Sequence, residues 1–257
     1  SENLKHRSVM EVIWHKLSMN YLYPKAHAII VPCEDAAVDL AAVSSLSREQ
    51  ISVVPLPIIG DELSCQAAEP VEHPWLQGES VPVFVAVGEL SERKDHASLL
   101  KAFAQLKTHH AARLIIVGKG KEEESLKNLA DTLGIRGDVD FVGFQNNPYK
   151  YIARATALVH TATFEGFGMV LVEALALGKP VIAVDCMGGP KDILQSGSIG
   201  YLVPMNNLSA LTAAMVDCIA GQASNTERYM QAAQPYTVKQ SVNAYLLVMQ
   251  RLSLRNA

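Results

Sequence analysis

The stretch TFEGFGMVLVEALALGKPV, residues 163–181, concentrates the residue types in this chain that could do chemistry. Glu165 reads as the end of a strand. Gly166 and Gly168 permit a tight turn in which the backbone approaches a ligand closely, and a helix begins near Gly168 or Met169. A helix start offers N–H donors and partial positive charge, a natural seat for phosphate. Glu173 follows about five residues into that helix, ~7 Å along its axis at ~1.5 Å per residue. The order is carboxylate, phosphate seat, carboxylate. It suits a ligand with hydroxyls on both sides of a diphosphate, as in a nucleotide sugar. The same residues also read as a plain strand-to-helix turn with two incidental glutamates, and spacing alone leaves both readings open.

The elements that must position these groups are legible as apolar runs. VFVAVG (83–88), RLIIVG (113–118), VDFVG (139–143), ALVHT (157–161) and PVIAVD (180–185) read as strands. Between and after them, residues 96–110, 122–134, 148–155, 169–178, 208–221 and 238–252 read as helices, two of them stopped by Gly134 and Gly178. The strands are apolar throughout rather than alternating, so both faces are covered. Strict β–α alternation then gives an α/β, Rossmann-like, doubly wound parallel sheet, with ligands beyond the carboxyl ends of the strands. Gly88, Gly118, Gly143 and Gly166 fall at those ends. Upstream, residues 4–23 read as a helix ended by Pro24, 26–32 and 51–57 as strands, and a helix opens at Glu34-Asp35. Residues 61–80 are polar, proline-bearing and aperiodic, and read as a linker.

The 257 residues are 49% hydrophobic and 19% charged, enough apolar material for a core, which excludes a disordered chain. A net charge of −4 argues against a dedicated nucleic-acid binder. Cys33, Cys65, Cys186 and Cys218 form no CxxC pair and no zinc-spaced set with histidine, so a reduced cytoplasmic setting without metal is expected. No run approaches the ~20 apolar residues of a membrane span. Gly118-Lys119-Gly120 opens a dinucleotide-type pattern but lacks the third glycine. His160 sits in an apolar strand and reads as a satisfied core histidine; His109-His110 end a helix, where positive charge suits the dipole. Trp14 with Lys5, Arg7, Lys16 and Lys25 fits either a lipid-facing helix or an amphipathic helix packed on another domain; Glu2 and Glu11 favour the latter.

EGFGMVLVE resembles the E-x7-E motif of retaining glycosyltransferases of the GT-B fold, notably family 4. VGELSERKDHASLLKAFAQL, LIIVGKGKEEESLKNLADTLGI, VDFVGFQNNPYKYIARATALV, ALALGKPVIAVDCMGGPKDIL and GYLVP follow in that family's order, over roughly residues 80–252. The resemblance implies roles position by position. Glu165 contacts donor-sugar hydroxyls near the reacting carbon, and Lys94 neutralises the diphosphate as it leaves. The backbone of Phe167, Gly168, Met169 and Val170 holds the diphosphate, and Glu173 binds the ribose hydroxyls. Gly118 and Gly120 lie near the nucleotide, Val142, Gly143 and Phe144 border the base, and Gly188 and Gly189 match a glycine pair after the next strand. Arg93, Gly88 and Glu89 belong to the phosphate loop. The resemblance further implies a nucleotide-diphospho-sugar substrate with UDP favoured over GDP, a saccharide or lipid-linked acceptor, and no metal.

It also implies an organisation. Residues 1–60 would be the tail of an N-terminal, acceptor-side domain and 81–222 the nucleotide-sugar domain. Residues 223–257 would be C-terminal helices, the last crossing back to the first domain. Such a chain binds donor but transfers poorly alone; its uncovered apolar surface favours self-association, and peripheral membrane contact is a further expectation. A non-catalytic binding fragment and, less favoured, a glycoside hydrolase using Glu165 and Glu173 are the alternatives. Two residues depart from the family pattern. Glu89 stands where arginine is usual, so it must turn away, pair with Arg93 or Lys94, or weaken the donor. Ala162 stands where serine is frequent.

Overall fold

The computed structural model describes residues 9–78, 81–221 and 225–255. Lys5, Arg7 and the side chain of Lys16 lie outside the described residues, as do parts of the stretches 61–80 and 222–224 that bear on the predicted boundaries. Two compact units emerge, one of residues 1–57 with 235–257 and the other of residues 58–234.

In the first unit, α1 (Val9–Leu22) precedes β1 (Ile29–Val31), α2 (Glu34–Val43) and β2 (Ile51–Val53). β1 and β2 pair in parallel, and Ala37, Leu46 and Ile51 form a small core beneath α2. Arg48 grips Glu34 through two guanidinium nitrogens at 2.7 and 2.5 Å, tying the entry to β2 to the start of α2. α1 turns Met10, Trp14, Leu17 and Tyr21 to solvent, with the Lys25 ammonium 3.5 Å above the Tyr21 ring. The last helix of the chain, α11 (Val238–Arg255), also belongs here, and the Ser241 hydroxyl donates to the Pro55 carbonyl.

The second unit begins with α3 (Leu63–Ala68), followed by β3 (Val83–Val87), α4 (His96–Lys107), β4 (Arg113–Val117), α5 (Glu123–Thr132), β5 (Val139–Gly143), α6 (Tyr149–Ile152) and β6 (Ala157–His160). It continues with α7 (Met169–Ala176), β7 (Val181–Val184), α8 (Pro190–Ile193), β8 (Tyr201–Val203), α9 (Leu208–Ile219) and α10 (Thr226–Ala233). All six strands are parallel, in the order β5-β4-β3-β6-β7-β8. The chain therefore builds outward from β3 in one direction and then, from β6, in the other. The central strands are buried along nearly their whole length while edge strands β5 and β8 are half-buried, as expected of a sheet covered on both faces. Phe84, Leu99, Phe103, Leu114 and Ile116 head the core on the α4 side.

Several expectations need correction. The stretch read as a linker carries α3, which buries Leu63 and Ala67, and further on buries Val71 and His73. Its six-residue helix is too short to show a period. α10 is one of the C-terminal helices that the resemblance implied for residues 223–257, and it packs on α7 within this unit. Glu165 does not end a strand: β6 stops at His160, and the chain regains pairing only at an isolated bridge from Phe164 to Met187.

Candidate functional site

In a doubly wound sheet the loops part where strand order reverses, which here is between β3 and β6. The loop after β3 delivers Arg93 and Lys94; the loop after β6 delivers Glu165. Backbone and hydroxyl bonds stitch the two loops together. Thr163 donates its N–H to the Arg93 carbonyl at 2.9 Å, Thr161 its hydroxyl to the Lys94 carbonyl at 3.0 Å, and Arg93 its guanidinium to the Phe164 carbonyl at 3.0 Å. Asp95, in a left-handed conformation, then caps α4 by accepting from Ser98 N–H at 3.1 Å.

On this frame the Lys94 ammonium donates to the Glu165 carboxylate, and Arg93 stands 3.6 Å from the same oxygen. His160 Nε2 lies 3.2 Å from it as well, without the alignment of a hydrogen bond. Burial by itself would raise the Glu165 carboxyl, but His160 and Lys94 beside it hold the group down at about 2. Glu165 is thus an ionised carboxylate at every ordinary pH. The loop lies on the turn after β7, with the Glu165 N–H donating to the Met187 carbonyl at 3.1 Å. Gly188 makes that contact feasible, since any Cβ there would collide with the Glu165 carbonyl.

α7 starts directly after this loop. Gly168 is its N-cap at φ 93°, a left-handed conformation that glycine adopts without penalty, and no side chain caps the helix. The amides of Met169 and Val170 precede the first intrahelical bonds and carry the positive end of the helix dipole. Phe167 buries its ring while Met169 stays exposed. Glu173, half-buried one turn on, accepts from the Tyr149 hydroxyl at 3.2 Å; burial raises its carboxyl above the usual range, with Tyr149 opposing. Burial and the Glu173 charge push the Tyr149 hydroxyl up to about 12.

Beside these groups opens a pocket of about 530 Å³ lined by Val87, Gly88, Glu89, Gly118, Lys119 and Phe144, with Pro148 leading to Tyr149. Gly88 links it to the charged centre: a Cβ there would lie 3.4 Å from Lys94 Cε. Of the residues predicted around a base, Phe144 stands on the pocket wall, whereas Val142 and Gly143 lie behind it in or at the end of β5. Gly120 is packed backbone to backbone against the Leu90 carbonyl, which accounts for its glycine without a ligand. Glu89 is exposed on the wall and makes no ion pair among the described residues; Arg93 and Lys94 are turned to Glu165 instead. Ala162 is fully buried.

Sequence reasoning missed three participants. His160 was legible as a polar residue at the carboxyl end of a strand next to the switch point. Lys119 was legible as the lysine within the glycine turn. Tyr149 had no signal, because its pairing with Glu173 depends on how α6 and α7 are brought together. Among the described residues no cluster of three or more His, Cys, Asp or Glu side chains is arranged to hold a metal ion, and no helix is long and apolar enough to cross a membrane.

A six-stranded parallel sheet wound both ways from a charged switch point defines a Rossmann-like α/β protein. Residues 72–235 match the family described as glycosyl transferases group 1. The chain is 30% identical over 197 residues to an N-acetylgalactosamine-N,N'-diacetylbacillosaminyl-diphospho-undecaprenol 4-alpha-N-acetylgalactosaminyltransferase of Campylobacter jejuni, covering 77% of this chain and 52% of that protein. It is 28% identical over 225 residues to a lipopolysaccharide 1,6-galactosyltransferase of Escherichia coli K12, covering 81% and 58%. Among solved structures, the apo form of the lipopolysaccharide outer core galactosyltransferase WaaB superposes with a TM-score of 0.74 at 25% identity, over 88% of this chain and 62% of that one. Anabaena HepE in complex with UDP shares the fold, with a TM-score of 0.76 at 22% identity, over 97% and 69%. The chain belongs to the glycosyl transferases group 1 family, family 4 of the GT-B glycosyltransferases. It spans about half the length of the curated relatives it matches.

Proposed function

We propose that the second unit binds a nucleoside diphospho-sugar, UDP-linked by preference, as the donor half of a retaining glycosyltransferase acting on a saccharide or lipid-linked acceptor. The observation that carries this reading is the uncapped start of α7 between two differently tuned carboxylates, Glu165 held ionised by Lys94 and Glu173 held on Tyr149. The amides of Gly168, Met169 and Val170 hold the diphosphate. Lys94 balances the charge that develops on the leaving group. Glu165 orients the sugar and stabilises positive charge at the reacting carbon, with attack from the leaving-group face and no covalent intermediate. Glu173 reads the ribose hydroxyls, and the pocket walled by Phe144 takes the base. Family membership supports a transferase over a hydrolase using the same two carboxylates.

The test is calorimetric titration with UDP, GDP and their sugars, repeated with Glu173→Ala. UDP binding that weakens on the order of tenfold in the variant is expected, the value of a hydrogen bond to a charged group. Equal affinity in the variant would remove Glu173 from the donor site. Binding and turnover are to be measured separately, because the chain spans about half the length of the relatives it matches. Peripheral membrane contact is part of the same proposal, supported by the solvent-facing Trp14 and Leu17 of α1. Cosedimentation with anionic vesicles tests it. Self-association is supported by the exposed Val242, Leu246 and Met249 of α11, and sedimentation velocity tests it.

A further inference from the structure

We propose that His160 is a positioning residue for Glu165 that takes up a proton from solvent when a diphosphate draws Lys94 away. The inference rests on the donor reading above and adds to it a second cation that the free site keeps in reserve. Three observations carry it. His160 is only 4% exposed, and its Nε2 faces the Glu165 carboxylate at 3.2 Å with no hydrogen-bond partner, an unusual state for a buried ring nitrogen. Lys94 is committed to that same carboxylate oxygen in the free protein. The Lys94 stem also packs along Gly88, which lines the pocket, and its side chain is 13% exposed.

One ammonium cannot serve both anions fully. Once a diphosphate seats at α7 and shares Lys94, the Glu165 carboxylate, only 13% exposed, is left with weaker compensation, a costly state. Arg93, half-exposed and bound to the Phe164 carbonyl, stands farther off at 3.6 Å. The imidazole at 3.2 Å is placed to become imidazolium and donate to Glu165, keeping the carboxylate ionised and aimed at the sugar. The proton balance is one proton from solvent per donor bound, with no bond made or broken elsewhere.

The groups facing His160 fix the direction. Burial, with Lys94 and Arg93 beside it, holds the free imidazole below its ordinary value, and Glu165 opposes them. His96, at the start of α4, is buried and pushed down to about 4 by burial, His160 and Lys94, so it stays neutral over the working range. The Cys186 thiol is pushed up to about 11, chiefly by burial, and stays protonated. His160 is therefore neutral in the free protein at neutral pH, and diverting Lys94 removes one of the two cations that depress it.

The experiment is UDP titration of the 257-residue chain and of His160→Gln at pH 6, 7 and 8, in buffers of different ionisation enthalpy. Glutamine keeps a donor at the site but cannot gain a proton. The wild type is expected to take up a proton on binding and to tighten as pH falls, by at most about tenfold per pH unit. The variant should lack that component. The titration of UDP itself is common to both and cancels in the comparison. Identical pH profiles and proton uptake would overturn the inference while leaving the donor reading intact. Absence of UDP binding at every pH would overturn the donor reading and the inference with it. The imidazole signals of the ¹⁵N-histidine-labelled wild type, followed with and without UDP, decide the matter if the variant folds poorly: His160 should titrate at higher pH with UDP, and an unchanged titration refutes the inference.

Discussion

Lys94→Met isolates the charge at the centre of the site, since methionine retains most of the stem that packs along Gly88. The Glu165 carboxyl lies at about 2 against an ordinary 4.5, which at about 1.4 kcal/mol per pH unit makes its ionised, partnered form worth roughly 3 kcal/mol. A carboxyl depressed on folding contributes stability that is complete above the unfolded value of 4.5 and is lost as pH falls through about 2. His160 and Arg93 remain in the variant, so the expected loss at pH 7 is about 2 kcal/mol rather than the whole. At pH 3 the unfolded wild type has taken up the proton that the native site still refuses, so only about 1.4 kcal/mol of the advantage remains and the gap between wild type and variant narrows from about 2 to about 1.3 kcal/mol. The two tryptophans fall one in each unit, so urea unfolding read from Trp75 in a Trp14→Phe background follows the second unit alone. A gap of equal width at both pH values would assign the loss to packing. No gap at pH 7 would mean that Glu165 needs no ammonium, and the electrostatic account of the site would fail.

Gly188→Ala puts a methyl into the Glu165 carbonyl and strains a backbone at φ 126°, so a loss of about 1–3 kcal/mol is expected, together with weaker UDP binding as the Glu165 loop lifts. Calorimetric unfolding checks the first effect, and a transition unchanged from wild type would show that the loop is not seated on this turn. Glu89→Arg replaces the unpaired carboxylate on the pocket wall with the cation usual in the family; a several-fold gain in UDP affinity that fades with salt is expected, on the order of 1 kcal/mol. Titration at low and high ionic strength decides it, and no gain at either would place position 89 off the path of the diphosphate.

The sheet was readable because its interior strands are all-apolar runs such as VFVAV and RLIIV, whose burial on both faces leaves no other arrangement. α3 and the bounds of α10 were not readable, because six and eight residues are fewer than the window over which a helical period can be counted. The E-x7-E spacing showed two carboxylates around a helix start, and the family resemblance assigned Lys94 to the diphosphate. Neither indicated that Lys94 and Glu165, 71 residues apart, bind one another in the free protein. That contact is a property of strand order. β3 and β6 become neighbours only because the chain reverses its direction of winding, and the loops that follow them are the pair that must part there and face each other across the gap. The same reversal explains why a histidine in a core strand became part of the site. As the last residue of β6, His160 has its backbone in the sheet and its ring beneath the loop that carries Glu165. Lys94 and Arg93 on one side and the Glu165 carboxylate on the other hold one another, with one positive charge in excess, until an anion arrives to compete. An arriving diphosphate therefore has to exchange partners with groups already in place, which makes affinity at this site a difference between two sets of charge contacts, tunable at Lys94, Glu165 and His160 without touching the ligand's own seat on α7.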